Sequence, residues 1–222
     1  MTEPASQLPR RSFLGGAAAA ALGLAAAPAL GAVVHGTVRT SSRNPDAWLE
    51  ALTGKHRSIV DMPEFNDGLP PVHILNYLNT YNTAYNVPDG DINVVGTFYG
   101  STTLLAANDA MWAKYRLGEL LNEHLPDGSH WTRNPWRPEV NALGMTLAPA
   151  SLEALQRRGV LFIVCNNALN FFMGTIAQAR GLDRAAVDAD IRANLLPGVV
   201  VVPAMVIAIE RAQAHGLAYR RE

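Results

Sequence analysis

Val160-Leu161-Phe162-Ile163-Val164-Cys165 is a run of five apolar residues and a cysteine, set between Gly159 and the polar pair Asn166-Asn167. An apolar run of this length without polar alternation suits a strand buried on both faces of a parallel sheet. Val199-Val200-Val201-Val202 repeats the pattern between Pro197-Gly198 and Pro203. Upstream, Ile92 to Tyr99 is β-branched and aromatic, and Ser58-Ile59-Val60-Asp61-Met62 is a shorter strand stopped by Pro63. Helical periods separate these runs. Val72, Leu75, Leu78, Tyr81 and Tyr85 fall at spacings of three and four, and Leu104 to Leu121 follows a Gly100-Ser101-Thr102-Thr103 cap. Ser151 to Arg158, Ala168 to Arg180, Asp183 to Leu195 and Met205 to His215 complete the helices, with Ala47 to Leu52 before them and an edge strand at Leu217-Ala218-Tyr219 after them.

Repeated strand-helix alternation demands right-handed crossovers, which put helices on both sides of one sheet. The expected fold is therefore α/β, a three-layer α/β/α sandwich around a mostly parallel sheet of about five strands. It occupies residues 47–222, with 124–138 as a Pro- and Trp-rich loop insertion. Its 49% hydrophobic and 17% charged composition is that of a chain able to build a core.

Ahead of the domain, Arg10-Arg11-Ser12-Phe13-Leu14 opens a mildly apolar Ala- and Gly-rich run, followed by small residues near Ala27-Pro28-Ala29 and Leu30-Gly31-Ala32. This order of charge, apolar run and small residues is that of an export signal, and the paired arginines mark the twin-arginine route. Residues 1–32 read as a signal peptide and 33–46 as a linker, so the mature protein is expected in the periplasm or otherwise exported. Glycines and Pro28 make the apolar run a poor permanent span, so no stable membrane insertion is expected after cleavage. Lys and Arg number 18 against 19 Asp and Glu, and removal of Arg10, Arg11 and Glu3 leaves the mature chain near −2. A near-neutral body without a basic stripe gives nucleic acid no electrostatic reason to bind.

Cys165 is the sole cysteine, which excludes an internal disulfide, a four-cysteine zinc site and a two-cysteine redox cycle. It follows a buried strand, where the carboxyl ends of a parallel sheet open the crevice that binds ligands. It also precedes a helix, whose N-terminal amides suit an anionic sulfur. Three uses remain open: a persulfide carrier, a thiolate nucleophile, or a thiol that works with a partner protein. Asn166 and Asn167 supply amide donors beside it, and Gly100-Ser101 after the second strand forms a turn suited to receive an anion. His73 is the candidate base. The six histidines show no H-x-x-x-H or H-E-x-x-H spacing, and there is no G-x-G-x-x-G, so no metal or other cofactor is expected. Trp131 and Trp136 read as packing or subunit contact. Against all this stands the ordinary behaviour of an unpaired cysteine, which packs as a small hydrophobe.

Three segments in order resemble the DsrE/DsrF-like proteins. They are Gly159 to Leu169 around Cys165, Val95-Gly96-Thr97-Phe98-Tyr99-Gly100, and Gly198 to Ala204 with the Glu210 to Tyr219 ending. The likeness spans roughly Ser58 to Arg220, and Tyr99 stands where family members often carry a histidine. The resemblance implies a homo-oligomer, a trimer or hexamer, and a cysteine that accepts and passes on sulfane sulfur, a role carried only by Cys165. The first functional expectation is thus an exported protein that handles a small sulfur species through Cys165. The alternative is a non-catalytic oligomeric protein that binds a small-molecule ligand and uses Cys165 structurally. An enzyme ranks third, since no second catalytic group is firmly placed. Intact mass of the exported protein should put the mature N-terminus between Ala27 and Val33; an uncleaved chain would contradict the leader reading.

Overall fold

The computed structural model describes residues 44–125 and 127–222 together with the backbone of 39–40. The expected signal peptide and most of the linker lie outside the described residues. In chain order the elements are β1 (Arg39–Thr40), α1 (Ala47–Glu50), β2 (His56–Asp61), α2 (Leu69–Ala84), β3 (Ile92–Phe98), α3 (Asp109–Tyr115), α4 (Leu117–Leu121), β4 (Val140–Ala142), β5 (Met145–Leu147), α5 (Leu152–Arg157), β6 (Leu161–Cys165), α6 (Asn166–Arg180), α7 (Arg184–Ala193), β7 (Val200–Val202), α8 (Met205–Ala214) and β8 (Ala218–Arg221).

The main sheet runs β1-β7-β6-β3-β2-β8, and every neighbouring pair is parallel. The two apolar runs that decide the fold are adjacent at its centre, with Ile163 opposite Val200 and Cys165 opposite Val202. The architecture is the expected α/β/α sandwich, with six strands because two-residue β1 adds an edge.

Side chains alternate across a strand, so each buried strand feeds two cores. Val94, Phe98, Phe162 and Val164 face the larger core, with Ile74 and Leu78 of α2, Leu152 and Leu155 of α5, and Leu169 and Met173 of α6. Phe98 and Phe162 stack there with ring centres 5.2 Å apart. Ile59, Val95, Ile163 and Cys165 face the smaller core, under Trp48 and Leu49 of α1 and Met205, Ala208 and Ala212 of α8.

The expected helix from Leu104 to Leu121 is broken into three pieces. A 3-10 helix covers Gly100–Ala106, Asn108 caps α3 by accepting from the Met111 N–H at 3.2 Å, and α3 ends where Arg116 turns left-handed at φ 51°. The cause is hydroxyl competition with the helical ladder. Thr102 Oγ1 donates to the Met62 carbonyl and Thr103 Oγ1 to that of Gly100 at 2.8 Å. The described residues of the 124–138 segment form no helix or strand of their own and run into the β4–β5 hairpin. Its tryptophans are core residues, Trp131 8% and Trp136 2% exposed, so packing accounts for them and subunit contact does not. Asn134, also buried, donates from Nδ2 to the carbonyls of Leu105 and Ala107 and ties the insertion to the 3-10 helix.

Gly96 in β3 marks where this packing is tightest. A Cβ there would lie 2.6 Å from Phe162 Cε1 and 2.9 Å from Met62 Cε, so both side chains would have to move. Overpacking of a core costs about 1–3 kcal/mol. Gly96→Ala should lower the denaturant midpoint by that amount with the m-value unchanged; an unaltered midpoint would contradict this packing.

Candidate functional site at the carboxyl edge of the sheet

All strands point the same way, so Asp61, the residue after Phe98, Cys165 and the residue after Val202 meet at one edge. Phe98 pairs with Val164, and the extended backbone of Tyr99 (φ −160°) carries that register one residue on, beside Cys165. Asp61, Thr97, Tyr99 and Cys165 belong by alternation to the face under α1 and α8. Among the described residues that face is covered by two helices, α1 and α8, and its carboxyl edge carries polar side chains.

Cys165 is the last residue of β6 and the N-cap of α6. It is 6% exposed, and its Sγ accepts from the Met205 backbone N–H at 3.4 Å, the first amide of α8. The sulfur thus accepts from the first amide of α8, while its own residue opens α6 without a side-chain cap bond.

One strand beyond Tyr99 is Asp61, a carboxylate only 2% exposed. Tyr219 Oη, from β8, donates to its Oδ2 at 2.7 Å, and Thr97 Oγ1 donates to its Oδ1 at 3.5 Å. Thr97 Oγ1 in turn accepts from the Met62 N–H at 2.9 Å. Burial first, then hydrogen bonding and the charge of Asp61, raise Tyr99 above the ordinary phenol range, while Arg221 opposes. For Tyr219 the order changes: the hydrogen bond to Asp61 comes first and burial second in raising it. Two phenols are thereby held neutral around one buried carboxylate, and Tyr99, one strand from β6, is the nearer of them to the sulfur. Both resist giving up the proton.

Not every residue singled out from the sequence joins this cluster. Gly100 does sit at the edge, in a left-handed turn (φ 61°) whose Cβ would fall 2.6 Å from the Pro63 carbonyl. Ser101, however, spends both donors on that carbonyl, the N–H at 3.0 Å and Oγ at 3.2 Å, so the turn closes β3 onto the end of β2 and does not receive an anion. Asn166 Oδ1 accepts from Arg192 Nη2 at 2.8 Å and anchors α6 to α7, while Asn167 is exposed on the first turn of α6. His73 is not a base for Cys165. It lies on α2, which packs the opposite face, and its Nδ1 pairs with Glu222 Oε2 at 2.5 Å beyond the β8 edge, three strand spacings from β6 or roughly 14 Å. His124 and His130 stack at 4.3 Å across an isolated bridge. Among the described residues, no group of three or more His, Cys, Asp or Glu side chains is gathered to hold a metal ion.

Asp61, Thr97 and Tyr219 were missed from the sequence. The available signal was Asp61 itself, which shares a core-facing alternation with Ile59.

No family model matches the chain, and no curated protein matches it. The chain is similar to the solved structure of a protein of unknown function from Methanobacterium thermoautotrophicum, at 19% identity and a TM-score of 0.37, over 75% of this chain and 99% of that one. A likeness of that degree carries no argument about function.

The electrostatics of the cluster give a directional test. Asp61→Asn removes the charge and keeps the shape. Ultraviolet titration of tyrosinate in the folded protein should show Tyr219 and Tyr99 ionising at lower pH than in the wild type, because Asp61 raises both. Both raised phenols stabilise the fold below the ordinary tyrosine pKa of about 10 and lose that contribution as pH rises through their folded values. Equal titration in wild type and variant would contradict the cluster.

Proposed function

We propose that the protein handles a small sulfur species through Cys165 and acts as a persulfide carrier. The observation that carries this reading is the seat of the sulfur, at the carboxyl edge between two helix N-termini, with the Met205 amide donating to it. The Cys165 thiolate attacks the outer sulfur of a donor persulfide. The donor S–S bond breaks, a new S–S bond forms on Cys165 and the donor leaves as a thiolate, so neither oxidant nor reductant is consumed. Tyr99 is the neighbouring phenol, and Asp61 with Tyr219 keeps the surroundings polar. The export expected from the leader and a homo-oligomeric assembly belong to the same proposal. Val206 and Ile207, 70% and 53% exposed beside Met205, offer self-association an apolar surface at this edge.

A second reading has its own observation. Cys165 is mostly buried and packs with Val95, Ile163 and Val202, which suits a structural thiol in a ligand-binding protein. Intact mass after treatment of the folded protein with a sulfane donor separates the two. The proposal expects a gain of one sulfur atom, removed by reductant and absent in Cys165→Ser. A wild type that gains no sulfur, or a serine variant that gains it equally, would overturn it. On the second reading Cys165→Ala costs stability and leaves ligand binding intact.

A further inference from the structure

A cavity lies away from Cys165, on the other face of the sheet. It has a volume of about 590 Å³ and opens between the β2–α2 connection and the insertion with the β4–β5 hairpin. Small-molecule sites commonly measure about 300–1,000 Å³. Phe65, Trp131 and Trp136 contribute its aromatic wall, and Phe65 meets Trp136 edge-on at 5.7 Å. Trp131 is fixed by its own hydrogen bond, Nε1 donating to the His124 carbonyl at 3.1 Å. Met145, 52% exposed on the β4–β5 hairpin, adds an apolar rim.

The charge in this cavity is one-sided. Glu123 and Asp67 both line it, and no Lys or Arg does. Among the described residues neither carboxylate has a hydrogen-bonding or ionic partner, whereas other carboxylates at the ends of this domain, such as Asp89 with Arg158 and Glu139 with Arg133, are paired. Burial, and next the charge of Asp67, push the Glu123 carboxyl up to about 7. Arg133 lies 6.0 Å from the Trp131 ring centre but is paired with Glu139, so the two acids are stabilised by an incoming cation with an apolar body. The acids supply the charge, and ring faces attract an ammonium group. A divalent metal would need three or more converging ligands, which these residues do not form.

We propose that the cavity between the β2–α2 connection and the insertion binds an organic cation, an amine or quaternary ammonium with an apolar body, held by Glu123 and Asp67 against Phe65, Trp131 and Trp136. The site is independent of Cys165 and of the sulfur reading. The test is calorimetric and fluorimetric titration of the full chain with phenethylamine and benzyltrimethylammonium, using phenethyl alcohol as the neutral counterpart and calcium and zinc as metal arms. At least one of the two cations should bind saturably and quench tryptophan emission. Phenethyl alcohol should bind about tenfold more weakly or worse. Glu123→Gln should weaken cation binding to a similar degree with the near-ultraviolet circular dichroism unchanged. Asp67→Asn is the second variant, because asparagine tolerates the left-handed backbone at φ 49° and the fold should survive. Failure of both cations to bind, equal binding of the alcohol, binding of a metal alone, or undiminished binding in both variants would overturn the proposal. Cys165→Ser should bind the cation as the wild type does; a loss of binding in that variant would contradict the independence of the two sites.

Discussion

Parallel pairing of β6 with β3 on one side and β7 on the other is the constraint from which the rest of the molecule follows. Phe98 opposite Val164 and Cys165 opposite Val202 set which residues share a face. A slip of one residue would exchange Val164 with Cys165 and Phe162 with Ile163 between the two cores. Such a slip would undo the Phe98–Phe162 stack and carry the sulfur away from Met205. Parallel strands also cannot be joined by tight turns, so each return crosses over in a helix and every carboxyl end comes to the same edge. Cys165, Tyr99 and Asp61 are neighbours for that reason, although 104 residues separate the first and last of them in the chain.

The two faces are covered unequally, and this asymmetry separates two kinds of chemistry. Helices α2 to α7 pack the larger core, and the insertion is held against it through Asn134, Trp131 and Trp136. Among the described residues the other face has α1 and α8. A carboxylate as buried as Asp61 carries a heavy desolvation cost unless donors reach it, and Tyr219 and Thr97 do so. Strand β8 thus does more than close the sheet: from the neighbouring strand it supplies the phenol that satisfies Asp61, while Arg220 turns to the other face and covers the Tyr77 ring at 3.8 Å.

Much of this was legible in the sequence, because apolar runs and their punctuation are local. Val160 to Val164 and Val199 to Val202 read as two adjacent buried strands, β6 and β7, with Cys165 at the carboxyl end of the first. What stayed hidden depends on distant partners. Tyr219 and Asp61 lie 158 residues apart, and His73 meets Glu222 across 149, so no spacing rule links either pair. Leu104 to Leu121 reads as one helix because its apolar content is high, yet the hydroxyls of Thr102 and Thr103 have nearer acceptors and reset the backbone. Trp131 and Trp136 read equally as packing or contact until Asn134 is seen to draw their loop into the core. The paired acids of the cavity come from segments that only the folded insertion brings together.

The account turns on whether the sulfur at the sheet edge is chemically available in the native state. The most direct measurement is the rate of alkylation of Cys165 by iodoacetamide in the folded protein, compared with the rate of global unfolding under the same conditions. The account predicts modification that outpaces unfolding and proceeds with the near-ultraviolet spectrum intact. Alkylation only as fast as the protein unfolds would contradict it and leave Cys165 as a packed core residue.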